Sequence, residues 1–299
     1  MRKSDKLHLQ YAAKQSSVSN GWKKWKGETK GLIESNGLQK KQILETEFNK
    51  WMENNPERKK IYANVLPGLK SIYDANRPYI SANNFYAEAV YGVEILSYAN
   101  GFKTLSDLYS SDKPDTKKME EEKKNMLNGI SGYFRNYDLP TDRTMFISLL
   151  AIFDKSVSDS LKPSSFTDMR NRYKGDFTKW ADIVFKKSVF TDSVKVEKFL
   201  NDFSASSCKK LKKDPAYAMI IALSDFYKSK VADRVNGMAT EVGRLNRLYM
   251  AGQREMQPDK HFYPDANSTL RVAYGQVKSY FPRDAVKYNF YTTLDGIME

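Results

Sequence analysis

Apolar and aromatic side chains recur at steps of three and four along most of this chain, the spacing of helices with one buried face. Between residues 8 and 25, His8, Tyr11, Gln15, Val18, Trp22 and Trp25 fall on one such face. Leu44, Phe48 and Trp51 mark a second helix, which breaks at Asn54-Asn55-Pro56. Ile61, Val65, Leu69 and Ile72 mark a third, in which Pro67 predicts a kink because proline removes an internal hydrogen bond. Tyr86, Val90, Val93 and Ser97 give a fourth, with Asn100-Gly101 as its left-handed cap. Further helices are predicted over 116–135, carrying Met119, Met126, Ile130 and Phe134, and over 142–158. Pro163 and Gly175 punctuate the next stretch, where Trp180, Val184 and Phe185 mark another helix.

The longest helix is predicted to open at Asp214-Pro215, a capping side chain followed by proline at the first helical position. From Tyr217 the stripe runs through Ile221, Ser224, Lys228, Val231, Val235, Met238, Val242, Leu245 and Tyr249. A helix of about 40 residues is roughly 60 Å long, so it spans its domain. Packing inside a bundle is favoured over a dimeric coiled coil, because no complementary pattern of flanking charges accompanies the stripe. The period then changes. Tyr263-Pro264-Asp265-Ala266-Asn267 is a turn cluster, and alternation over Ser268 to Tyr280 predicts a strand. Pro282-Arg283-Asp284 breaks it, Val286, Tyr288 and Phe290 alternate again, and Thr292 to Glu299 reads as a cap and a first helical turn. The fold class expected is mainly α: a multi-helix cap domain over 1–257, then a short antiparallel β segment over 258–299. Two strands alone are marginal in water, so this segment reads as the near edge of a larger β domain. A helical pattern that starts directly after Met1 likewise reads as the interior of a longer structure.

Composition sharpens this picture in a few places. The 299 residues include 40% hydrophobic and 13% aromatic side chains, too much burial capacity for a disordered chain. The formal net charge is +13, which raises a nucleic-acid reading. Acidic residues interrupt the lysine runs, however, as in Lys117-Lys118-Met119-Glu120-Glu121-Glu122-Lys123-Lys124, and no zinc-finger, RNP-like or phosphate-loop motif accompanies them. A lysine-rich helical surface is therefore favoured; a stand-alone basic interaction module that binds nucleic acid is the alternative. No apolar run approaches the roughly 18 residues of a membrane span; Ala216 to Leu223 stops after eight.

Candidate chemistry is sparse. The single Cys208 excludes a disulfide framework and any multi-thiolate zinc site, and no metal or cofactor is expected. A serine or cysteine nucleophile needs a neighbouring base, and only His8 and His261 could serve. His8 lies on the first helical stripe and His261 in a loop, and no Gly-x-Ser-x-Gly turn occurs. Lysines follow Cys208 at positions 209, 210, 212 and 213, but no partner histidine is identifiable. Catalytic residues expected within this chain: none.

The run Tyr263-Pro264-Asp265-Ala266-Asn267-Ser268-Thr269-Leu270-Arg271-Val272-Ala273-Tyr274-Gly275-Gln276-Val277 resembles the pattern Phe/Tyr-x-Asp-Ala-Asn-x-Thr-Leu-Arg-x-x-Tyr-Gly-x-Val. That pattern belongs to bacterial dipeptidyl-peptidases of the 7 and 11 type, serine peptidase family 46. Pro282-Arg283-Asp284-Ala285-Val286, Thr292-Thr293-Leu294-Asp295-Gly296, Gln10-Tyr11-Ala12-Ala13-Lys14 and Ser19-Asn20-Gly21-Trp22-Lys23 are similar to the same family, in matching order from end to end. The resemblance implies a chymotrypsin-like double β-barrel with a helical domain inserted between its halves, which caps the cleft and moves on a hinge. It implies removal of dipeptides from peptide N-termini through a His-Asp-Ser triad and an acyl-enzyme. In the family the histidine and aspartate precede the helical domain and the serine follows the Thr-Thr-Leu block, so the triad is expected outside this chain and the chain alone is expected to be inactive.

One binding position carries over by resemblance. The family uses a helical-domain asparagine to bind the substrate's free α-amino group, and Asn20 matches it. An amide carbonyl accepts hydrogen bonds from an ammonium, and only a free N-terminus supplies that charge. Gly21 and Lys24 depart from the family's usual residues beside it. Trp22 and Tyr11 are expected to be core residues that hold this helix. The partners implied are a peptide N-terminus, the rest of the peptidase barrel and a second copy of the parent enzyme; its implied location is the periplasm or cell surface.

Overall fold

The computed structural model describes residues 4–264, 267–270 and 272–298. They divide into two compact units, residues 1–256 and 257–299.

The first unit is helical throughout. Ser4 caps α1 (Asp5–Glu34) by accepting the Leu7 amide at 3.2 Å. Asn36, in the left-handed region at φ 51°, separates α1 from α2 (Gly37–Glu53). Asn55 accepts the Glu57 and Arg58 amides and Pro56 occupies the first turn, which starts α3 (Pro56–Tyr62). The helix expected to run on through a kink at Pro67 instead ends at Tyr62 and restarts as α4 (Val65–Phe85). Pro67 falls in the first turn of α4, where a missing N–H costs nothing; the proline inside this helix is Pro78.

A π-helical turn, Tyr86–Val90, extends α4 before the chain enters α5 (Glu94–Tyr109). The predicted stop at Asn100-Gly101 does not occur. Ile95, Leu96, Ala99, Phe102 and Leu105 form one buried stripe across it, and this burial outweighs the local propensity of glycine. Then follow α6 (Thr116–Arg135), α7 (Leu139–Ser156), α8 (Ser164–Arg172), α9 (Phe177–Lys187), α10 (Ser193–Asn201) and α11 (Ala205–Leu211).

The long helix begins where Asp214 caps Ala216 and Tyr217. It runs unbroken as α12 (Pro215–Phe226), a π segment (Tyr227–Ala232) and α13 (Asp233–Met256). Two clusters hold it. Around the first half, α12 packs along α5, and Tyr86, Phe102, Phe146, Phe153, Phe166 and Phe190 fill a fully buried core. Around the far end, α13 packs along α4, and Phe48, Met52, Tyr62, Val65 and Tyr249 form a smaller cluster. There Gly252 is required by close approach: a Cβ would lie 2.7 Å from the Phe48 ring.

The second unit is sparse. β1 (Tyr280–Arg283) pairs antiparallel with β2 (Val286–Tyr288) around Asp284-Ala285, with Ala285 at φ 60° and a bulge in β1. The strand expected over 268–280 is confined to its last residue; Leu270, Val272 and Tyr274 are exposed, because no ladder partner lies beside them among the described residues. Pro282 lies within β1 rather than ending it, as an edge position allows. A short helix, α14 (Asp295–Met298), follows Thr293, whose hydroxyl donates to Asp295. Asp265, Ala266 and Arg271 of the family-like run lie outside the described residues. The fold is mainly α, with one long helix and a short two-stranded antiparallel sheet.

Candidate functional site

On α1, Tyr11 and Asn20 are separated by nine residues, which at about 100° per residue is half a circumference. Tyr11 is buried and Asn20 exposed. Asn20 therefore projects from the side of α1 facing away from the helical body, and its side chain has no hydrogen-bond partner among the described residues. The residues that share its face by helical spacing are small on the N-terminal side, Ala13, Ser16 and Ser17, whereas Lys23 and Lys24 follow one turn on. Trp22 is 57% exposed, so it is not the core residue its periodicity predicts; Lys26 lies over its ring at 4.8 Å. Trp25, further along the same stripe, is also 57% exposed, because the buried contact of α1 is confined to its first half.

That half is held by polar contacts. Gln10 donates to the Arg135 carbonyl at 3.0 Å, and Lys14 to the Asn136 carbonyl at 2.8 Å, both at the end of α6. Lys14 also pairs with Glu94 Oε2 at 2.6 Å, at the start of α5. Beside them Asp142, fully buried on α7, accepts the backbone amides of Glu94 at 2.7 Å and Ile95 at 2.9 Å. The helix α5 thus receives its cap from another helix. Burial outweighs these hydrogen bonds and the nearby Glu94 charge adds to it, so the Asp142 carboxyl is pushed up to about 7. Burial likewise raises the Tyr11 phenol, with the Glu94 charge reinforcing it. A groove of about 470 Å³ opens here, lined by Leu7, Tyr11, Lys14, Val18, Glu94 and Met145.

The other candidate residues stay apart. His8 is exposed on α1, and His261 is exposed in the second unit. Cys208 is buried, its thiol 3.7 Å from the Ser106 carbonyl. Among the described residues no group of three or more His, Cys, Asp or Glu could hold a metal ion, and no helix is long and apolar enough to cross a membrane. Several lysines of α1 and α2 pair with glutamates one turn on: Lys24 with Glu28, Lys30 with Glu34, Lys41 with Glu45. Gln10, Lys14, Glu94 and Asp142 had no mark in the sequence as a group. The only local signal was the spacing of Tyr11 and Lys14 on one helical face.

The family model Peptidase S46 matches residues 1–299. The chain is 30% identical over 300 residues to the Asp/Glu-specific dipeptidyl-peptidase of Flavobacterium psychrophilum, covering 100% of this chain and 41% of that protein. It is 29% identical over 300 residues to dipeptidyl-peptidase 7 of Porphyromonas endodontalis, covering 100% of this chain and 35% of that one. Its fold matches the crystal structure of Porphyromonas endodontalis DPP11 in complex with the dipeptide Arg-Glu, with a TM-score of 0.76 at 21% identity, over 98% of this chain and 41% of that one. The chain thus spans about two fifths of the length of these relatives.

Proposed function

The chain belongs to the peptidase S46 family, and from that membership we propose that it is the helical substrate-capping part of a serine dipeptidyl-peptidase that removes dipeptides from peptide N-termini. Asn20 carries the reading: an exposed amide without a protein partner among the described residues, with the small side chains of Ser16 and Ser17 on the turn before it. Its carbonyl oxygen accepts from the substrate's α-ammonium, and blocked or internal peptides lack that donor. The groups that attack the peptide bond belong, in this proposal, to a barrel outside the 299 residues. His8 and His261 fall in different units, and among the described residues neither has a side-chain hydrogen bond to an aspartate or a serine. The parent enzyme is proposed to be exported to the periplasm or cell surface and to dimerise.

The test is direct. Incubated with fluorogenic dipeptidyl substrates, this chain alone is expected to release no fluorophore. Turnover that is abolished by a serine-directed inhibitor would contradict the division of labour proposed here.

A further inference from the structure

The side chain proposed to read the substrate sits on a helix with little support of its own. From Asn20 to Glu34 every residue of α1 is exposed except Gly21, which is half-buried. What fixes the helix near Asn20 is the earlier half, through buried Tyr11 and the donors Gln10 and Lys14. Lys14 has two tasks there. It ties α1 to the end of α6 through the Asn136 carbonyl, and it neutralises Glu94, whose carboxylate stands beside that of Asp142 at the start of α5. The network is not saturated. Gln10 Oε1 is buried without a hydrogen-bond partner among the described residues, and the Tyr11 hydroxyl and Glu94 Oε1 make none of ordinary geometry although they interact with each other. A half-satisfied buried network leans heavily on the contacts it does make.

We infer that Lys14 and Glu94 are positioning residues for recognition of the peptide N-terminus, because their ion pair fixes α1 and with it the direction in which Asn20 points. Asn20 lies six residues beyond Lys14, roughly 9 Å along the axis, so a swing of α1 about this point displaces the amide directly. Loss of Lys14 leaves Glu94 facing Asp142, Tyr11, Tyr133 and Tyr137 with no ion-pair partner among the described residues, and the carboxylate then favours release of the helix into water. Neither residue touches the peptide; both act through Asn20, and the inference rests on the Asn20 reading above.

The experiment uses this chain unchanged and as Lys14→Met, Glu94→Ala and Lys14→Arg. Two readouts are taken: hydrogen exchange of α1 amides 7–20, and affinity for tetra-alanine with a free or an acetylated N-terminus. In Lys14→Met and Glu94→Ala, α1 exchange is expected to rise. Affinity for the free peptide is expected to fall about tenfold, as for a site placed correctly a tenth of the time, with the acetylated peptide unaffected. Lys14→Arg keeps the charge and retains both properties. Faster α1 exchange with unaltered affinity for the free peptide would overturn the inference, and so would unaltered exchange in Lys14→Met. If the unchanged chain failed to distinguish the two peptides, the Asn20 reading itself would fall and this inference with it.

Discussion

The carboxylate of Asp142 accepts the backbone amide of Glu94 at 2.7 Å, so α5 is capped by a side chain 48 positions further along the chain. This contact and its partner at Ile95 satisfy two amides that helix geometry leaves orphaned in a buried place. Asp142→Ala is expected to destabilise the helical unit by about 2–4 kcal/mol, since each buried unpaired amide costs about 1–3 kcal/mol. Chemical denaturation with far-UV circular dichroism measures it.

The same residue sets a pH dependence. Its folded value is about 7, against 3.8 when exposed, so between these values the folded chain holds a proton that the unfolded chain has lost. Stability from this group therefore rises as pH falls through about 7 and levels off near 4. Asp142→Asn cannot titrate. The unfolding free energy of the wild type relative to Asp142→Asn is expected to increase by a few kcal/mol from pH 8 to pH 5. A constant difference would count against a neutral buried carboxyl.

Lys162 is a buried cation whose side chain is 1% exposed, paired with Asp154 at 2.7 Å and Asp159 at 3.0 Å. Arg170 shares both carboxylates. Lys162→Met removes the buried member of this group and leaves both carboxylates paired with Arg170, so it is expected to cost about 1–3 kcal/mol. The melting temperature should fall, and by less at high salt, because Asp159 is 56% exposed and its share of the interaction is screened.

Gly252→Ala places a methyl group 2.7 Å from the ring of Phe48, which is fully buried and has nowhere to move. A loss of about 1–3 kcal/mol is expected from this overpacking. Gly243→Ala, on the same helix, meets nothing nearer than an Arg247 guanidinium nitrogen at 3.6 Å and is expected to be neutral or stabilising. Thermal melts of the pair separate packing from helix propensity.

Where an element carries its own signals, the sequence was legible. The stripe through Met119, Met126, Ile130 and Phe134 placed α6 at its observed bounds, and Asp214-Pro215 marked the start of the long helix. The family resemblance read from the Tyr263–Val277 run is borne out by the match over the whole chain. What failed depended on distant partners. The start of α5 is set by Asp142 on another helix, so the local Asn100-Gly101 signal misled. Alternation over 268–280 describes a chain able to form a strand, but a ladder needs a neighbour. Trp22 and Trp25 share a face with Tyr11, yet periodicity names a face without saying how far along it the body reaches. Asn20 has no local signature in the sequence, where only the family resemblance singled it out.

In the function proposed, this helical unit recognises a free peptide N-terminus through Asn20. Affinity of the chain for tetra-alanine, free and N-acetylated, measured by calorimetry for wild type and Asn20→Ala, tests it most directly. The free peptide is expected to bind about tenfold tighter, a charge-assisted hydrogen bond being worth about 1.5 kcal/mol, and that preference is expected to be lost in Asn20→Ala. Equal binding of the two peptides by the wild type, or a preference that survives in Asn20→Ala, would contradict it.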